Sequence, residues 1–260
     1  MFYIDQFVYA NKMRSYHPGE KVFFALATMA ICLAAKNPVV HLTVIGIMVC
    51  LLMIKARIPG FVVGKLMLVP MGFLVLGVVT IAFSFGVDNN GMLVHLKMGS
   101  HYLGVTEAGL RTAVITFLQA LSSVTCLYFL ALTVPMIDLI FILQLLKVPS
   151  ILIELMTLIY RFIFVFVETA FNIYTAQSSR WGYCNFRRSI YSFGVLFANL
   201  WGKVFLKSQA LMNSMLSRGY ENEIRVLHIS YQYSGRNILF FGLIDLALII
   251  MSIVLPNNII

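Results

Sequence analysis

Charge is what this sequence has least of. Charged residues make up 11% of the 260, against about 25% in an ordinary soluble domain. That is too few to cover a water-exposed surface, which excludes a soluble enzyme or a free-standing binding module. Acidic residues are the scarcer kind, 10 Asp and Glu against 19 Lys and Arg. Cysteine is limited to Cys32, Cys50, Cys126 and Cys184, none of them in a CxxC pair. Neither a disulfide framework nor a cysteine metal cluster is expected from that spacing. The phosphate loop G-x-x-x-x-G-K-[ST] is missing, as is HExxH, and no Ser, His and Asp share one depth. The chain is therefore expected to hold no catalytic residue, no metal and no cofactor. His95 and His101 are its clustered imidazoles, with no third ligand nearby, and a transition-metal site wants several N, O or S donors. A cleavable leader is not expected either, because Asp5, Lys12, Arg14, Glu20 and Lys21 make the opening polar.

What is plentiful is apolar. Hydrophobic residues make up 60% of the chain, with 21 Phe and 12 Tyr, the aromatics that lipid-facing and interfacial positions favour. Lipid must then be the solvent for much of the molecule. A spanning helix needs roughly 17–25 apolar residues. Runs near that length occupy residues 22–35 and 39–54, joined at Lys36-Asn37-Pro38 as a tight hairpin. Others occupy residues 66–85, 108–134 and 238–255. Asp88-Asn89-Asn90-Gly91 interrupts the third run, Pro135 ends the fourth, and Pro256-Asn257-Asn258 ends the last. Gly60 and Gly64 form a GxxxG beside Pro59, where a loop is expected rather than a dimerising helix. The 14 Met residues read as core filler.

Between residues 136 and 235 the character changes. Residues 151–176 are apolar, yet carry Glu154, Arg161 and Glu168 at spacings of seven, on nearly one helical face. A charge at the bilayer centre costs about 2.5–3.5 kcal/mol on insertion scales. Such a stripe suits a helix at the interface or packed on others, with the charges paired inside that packing. Residues 189–216 are similar, with Lys203, Lys207 and Gln209. Lys and Arg set the orientation. Lys12, Arg14 and Lys21 precede the first run; Lys55, Arg57 and Lys65 follow the second; eight more lie between Arg180 and Arg236. The positive-inside rule puts all three regions in the cytoplasm. Loop 87–105 and the tail beyond Pro256 are then outside, and 151–216 makes no net crossing. The net charge of +9 thus speaks for cytoplasmic loops and anionic lipid rather than nucleic acid. The expected fold is an all-α membrane protein: about five transmembrane helices, plus long cytoplasmic-side helices between the fourth and the fifth. Its segments are 1–135 for the first four spans, 136–235 for the cytoplasmic-side helices, and 236–260 for the last span and tail.

Two stretches end alike: Ser179-Arg180-Trp181-Gly182-Tyr183 and Ser217-Arg218-Gly219-Tyr220. Glycine after a helix and arginine in its last turn are ordinary helix stops. Repetition at two long semi-apolar helices points further, since guanidinium tips suit an acidic groove on a partner.

With these residues the chain resembles the transmembrane (T) components of energy-coupling factor transporters, specifically the cobalt-type CbiQ family. Similar blocks are Ile4-Asp5-Gln6-Phe7 with Asn11, His17-Pro18-Gly19-Glu20-Lys21, residues 127–139, and Val148-Pro149 with Glu154-Leu155-Met156. Ile159-Tyr160-Arg161-Phe162-Ile163-Phe164 follows. Ala176-Gln177 with Ser179-Arg180, and Met215 through Tyr220, resemble the two Ala-Arg-Gly coupling motifs. Ser179 and Ser217 stand where that motif has Ala, and Trp181 displaces the first Gly by one place. The resemblance implies a non-enzymatic subunit of an ATP-driven cobalt importer in the cell membrane, or alternatively one serving nickel- or vitamin-binding subunits. It implies two partners besides the bilayer, a substrate-binding membrane subunit and a pair of ATPases. Ser179, Arg180, Gly182, Ser217, Arg218 and Gly219 would dock the ATPases, and the stripe Glu154, Arg161 and Glu168 would pack the platform behind them.

Overall fold

A computed structural model of the chain describes residues 2–86, 92–98, 101–220 and 234–254. Helices carry nearly all of the described chain. They are α1 Phe2–Ala10, α2 Pro18–Ala34, α3 Pro38–Cys50, α4 Gly60–Ala82, α5 Glu107–Thr133, α6 Met136–Leu145, α7 Ser150–Ser178, α8 Phe186–Ser217 and α9 Gly235–Val254. The all-α membrane class holds. By length and composition six segments of the described residues can cross a membrane: Pro38–Lys55, Gly60–Ile81, Gly109–Thr133, Ser150–Ser178, Phe186–Ser217 and Gly235–Val254. At 17 residues α2 is slightly shorter. The charged stripe does not strip α7 of spanning composition, because a seven-residue spacing leaves long apolar stretches between charges.

The local chemistry explains the helix starts. His17 Nδ1 accepts from Gly19 N at 3.1 Å, with Pro18 at the first helical position of α2. Asn37 Oδ1 accepts from Val39 N at 3.1 Å, with Pro38 opening α3. A polar cap followed by proline is the arrangement that satisfies the orphan amides of a helix start. The expected hairpin at Lys36-Asn37-Pro38 is thus made by capping. A π-turn over Leu51–Lys55 extends α3. Helix α4 begins at Gly60, earlier than its apolar run, and keeps Pro70 inside. Gly60 and Gly64 therefore sit on a helix, where a loop was expected; proline at residue 59 fits just before a helix start.

A second difference lies between α4 and α5. Strands β1 Phe83–Gly86, β2 Met92–Met98 and β3 His101–Thr106 form an antiparallel sheet in the order β1-β3-β2. Phe83 pairs with Val105 and His95 with Gly104. The sequence alone reads as loop here because its period-two alternation, His95 and Lys97 against Val94 and Leu96, is brief. The break Asp88–Gly91, Arg225 and the tail from Pro256 lie outside the described residues.

The chain forms two compact units, Met1–Pro135 with Ser230–Ile260, and Met136–Ile229. In the first, α2, α3, α5 and α9 pack together. Phe24 of α2 meets Phe129 of α5 edge-on at 5.7 Å and stacks on Phe241 of α9 at 4.6 Å. Val40, Val44, Met48, Leu52 and Leu132 complete the buried core. Elsewhere large apolar side chains face outward. Phe61 is 81% and Phe73 78% exposed on α4, the mark of a surface built for lipid.

The first unit is also stapled by its N-terminal polar residues. Lys21 is fully buried, and its ammonium donates to the carbonyls of Met13 at 3.1 Å and Thr133 at 3.0 Å. Asn11 Nδ2 donates to Val8 O at 2.9 Å and Leu132 O at 3.0 Å. Both side chains thus satisfy carbonyls at the C-terminal end of α5, which have no intrahelical partner. Glu20 Oε1 accepts from Ser234 N at 3.0 Å, just ahead of α9.

Candidate functional site

The second unit holds both Arg-bearing ends. Helix α7 has 29 residues and α8 has 32, so they are about 43 and 48 Å long at 1.5 Å per residue. They form an antiparallel hairpin. At the connecting turn Ser192 Oγ donates to Gly182 O at 2.7 Å. At the far end the Tyr220 hydroxyl donates to Glu154 Oε1. That bond to a carboxylate pushes the phenol pKa up from its ordinary value. The hairpin is therefore tied at both ends, and the two arginines lie at opposite ends of it.

The two helix ends share one geometry. At the first, Gly182 N donates to Gln177 O at 2.9 Å and Trp181 N to Ser178 O at 3.1 Å. At the second, Tyr220 N donates to Met215 O and Gly219 N to Leu216 O, both at 3.1 Å. Each is the paired 6→1 and 5→2 pattern of a Schellman stop, whose C′ residue takes a left-handed conformation. Trp181 has φ 58° and Gly219 φ 75°. Arg180 and Arg218 therefore occupy the same position, immediately before the left-handed residue. The serines match too: Ser179 Oγ donates to Thr175 O and Ser217 Oγ to Asn213 O, both at 2.9 Å. Both arginines are exposed, with guanidinium groups available to a partner.

This alignment relocates one residue. Trp181, not Gly182, stands where Gly219 stands in the second end. Gly182 is needed for another reason. A Cβ there would come within 2.7 Å of Gln177 O and 2.9 Å of Ser192 Oγ. Tyr183 adds a further brace, its hydroxyl donating to Gln177 Oε1 at 2.7 Å and its ring lying 4.8 Å from that of Tyr174. The first turn is thus fixed from several sides, while its Trp181 ring is 75% exposed.

Among the described residues the stripe forms no ladder of ion pairs. Glu154 binds Tyr220, whereas Arg161 and Glu168 are exposed on α7, and no described residue bonds either of them. Seven residues is about two helical turns, so neighbours in the stripe stand about 10 Å apart along the axis, too far for mutual contact. Farther along the hairpin, Phe166, Thr169 and Asn172 of α7 face Leu200, Lys203 and Lys207 of α8 across a groove of about 460 Å³.

Two buried ionisable residues, Asp245 and His41, lie within the apolar runs. Asp245 is buried in α9 and accepts from Thr28 Oγ1 at 3.1 Å. His41 is buried in α3, with Nδ1 3.2 Å from Ser122 Oγ. A lone ionisable residue within an apolar run was the available signal. Among the described residues, no three His, Cys, Asp or Glu side chains could together hold a metal ion. His95 and His101 fall on the neighbouring strands β2 and β3.

Comparison with known proteins adds a family to this geometry. The profile of the family CbiQ, cobalt transport protein, matches residues 10–227. An uncharacterized protein of Methanocaldococcus jannaschii is 32% identical over 249 residues, 96% of this chain and 92% of its own. Cobalt transport protein CbiQ of Salmonella typhimurium is 28% identical over 225 residues, 86% of this chain and 99% of its own. A protein of Methanocorpusculum labreanum, provisionally named fused cobalt transport protein CbiMQ, is 29% identical over 218 residues, 84% of this chain and 36% of its own.

Proposed function

The chain belongs to the CbiQ family of cobalt transport proteins, and from that premise we propose that it is the transmembrane coupling subunit of an ATP-driven cobalt importer of the energy-coupling factor type. It is a multi-pass membrane component of cobalt transport. Its task in this reading is to pass conformational change from ATPase subunits to a separate membrane subunit that binds the substrate. The observation that carries the reading is the matched pair of helix ends. Ser179-Arg180 and Ser217-Arg218 present exposed guanidinium groups from the same backbone motif at opposite ends of one long hairpin. Two such tips, each about the length of a 40–50 Å helix apart, suit two separate acidic grooves better than one.

In this reading Ser179, Arg180, Gly182, Ser217, Arg218 and Gly219 form the docking ends, and residues 136–235 are the coupling region. Glu154 packs that region through Tyr220, and Arg161 and Glu168 are left to meet partner groups. Residues 1–135 and 236–260 supply the membrane part; the division of the chain into compact units at Pro135 and Ser230 supports that assignment. ATP is handled by another chain, because the sequence carries no phosphate loop. The fused name of the Methanocorpusculum relative supports a companion membrane subunit. The N-terminus and the coupling region are cytoplasmic by their Lys and Arg.

The test is charge reversal at both tips. A hydrogen bond to a charged partner contributes about 1.5–3 kcal/mol, and leaving the partner buried and unpaired costs more. Arg180→Glu with Arg218→Glu should insert at parental levels, yet lose co-purification with the ATPases and cobalt uptake. Lys207→Glu, away from either end, should be milder. Full assembly and uptake by the double variant would reduce both motifs to simple helix stops.

A further inference from the structure

The two docking ends differ at the left-handed residue, and that difference is costly. In the second end the left-handed residue is Gly219, which adopts φ 75° freely. In the first end the equivalent residue is Trp181 at φ 58°, a conformation that bulky side chains rarely take. Among the described residues no packing repays that strain, since Trp181 is 75% exposed. The turn beneath it is held by Gly182 N to Gln177 O, Ser192 Oγ to Gly182 O, and Tyr183 to Gln177. The backbone thus presents a large rigid aromatic ring beside an exposed arginine, and it does so before any partner arrives. Strain kept at a preorganised surface point is a mark of a binding element. Tryptophan and arginine together are the residue types that dominate interface energetics.

We propose that Trp181 is an aromatic anchor that inserts into an apolar pocket on the ATPase subunit, next to the carboxylates that receive Arg180. This deepens the docking reading and rests on it. The occupant is a protein surface continuous with the Arg180 contact, because ring and guanidinium belong to adjacent residues of one fixed turn. Burial of the ring also makes the two ends unequal: the first grips by charge and aromatic burial, the second by charge alone.

Only two tryptophans are present, so Trp201→Phe leaves Trp181 as the sole indole reporter in the full-length protein. Its emission should shift to the blue, and acrylamide quenching should fall several-fold, when the cognate ATP-binding subunits are added to the chain in detergent. The same probe in vesicles without ATPase tests a lipid-inserted ring. Quenching already low there and unchanged by ATPase would overturn the proposal, as would an indole that stays fully quenchable in the assembled complex. Trp181→Gly removes the ring and relieves the left-handed strain. It should weaken ATPase retention about tenfold while raising the thermal midpoint of the isolated chain. If Trp181→Gly assembles like the parent while the double Arg variant does not, the anchor fails and the docking reading stands. If neither loses ATPase, the docking reading itself fails.

Discussion

At the scale of single residues, the buried polar groups decide what the fold can tolerate. Lys21 is the sharpest case. A fully buried ammonium is expensive to desolvate, and here two carbonyls hold it. Lys21→Met keeps the stem and removes the donor, leaving Met13 and Thr133 carbonyls without that partner. Each unpaired buried group costs about 1–3 kcal/mol, so the thermal midpoint in detergent should fall by several degrees. An unchanged midpoint would mean that water or the chain itself replaces the ammonium. The residues His17 through Lys21 were legible in the sequence as a family block. Their role as a staple on α5 and α9 was not, because it depends on the Thr133 carbonyl and the Ser234 amide, each more than a hundred positions away in the chain.

At the scale of elements, capping and apolar run length gave most helices to within a few residues, since both signals are local. The sheet β1-β3-β2 escaped for the opposite reason: its strands are short and its pairing, such as His95 opposite Gly104, is not written in any one run. The stripe Glu154, Arg161 and Glu168 was visible as spacing, but spacing cannot name a partner, and Tyr220 was found only by the fold. The α7–α8 turn makes its own prediction. Gly182→Ala puts a methyl group against the Gln177 carbonyl at 2.7 Å, an overpacking worth about 1–3 kcal/mol. Limited proteolysis should cut the turn faster in this variant. Gly219→Ala meets no atom within 4 Å and suffers only its left-handed φ, about 1–2 kcal/mol. It should leave that turn intact. Equal effects from the two substitutions would contradict the packing described for Gly182.

At the scale of the whole molecule, membrane topology is the open arithmetic. Length and composition allow α7 and α8 to cross, whereas the positive-inside reading of Lys and Arg proposes a cytoplasmic region around them. The proposed five net crossings would put the C-terminus outside. Reporter fusions after Asn258, or labelling of a cysteine introduced there, should therefore report an external tail. A cytoplasmic tail would remove the five-span arrangement. The overall class was legible from composition alone, because scarcity of charge leaves no other solvent than lipid. The geometry at Arg180 and Arg218 was legible only as a repeated Ser-Arg, since a left-handed tryptophan hides the motif from a search for glycine.

The antiparallel hairpin carries one more consequence. Two like helices running in opposite directions, each closed by the same motif, are related by an approximate dyad across the hairpin. A single unsymmetric chain can in this way offer two nearly equivalent ends to a two-fold symmetric partner, meeting its isologous surfaces without itself being a dimer. Trp181 opposite Gly219, and Gly182 opposite Tyr220, are points at which that dyad is broken. An otherwise symmetric partner bound there would have its two halves told apart by the few side chains that differ.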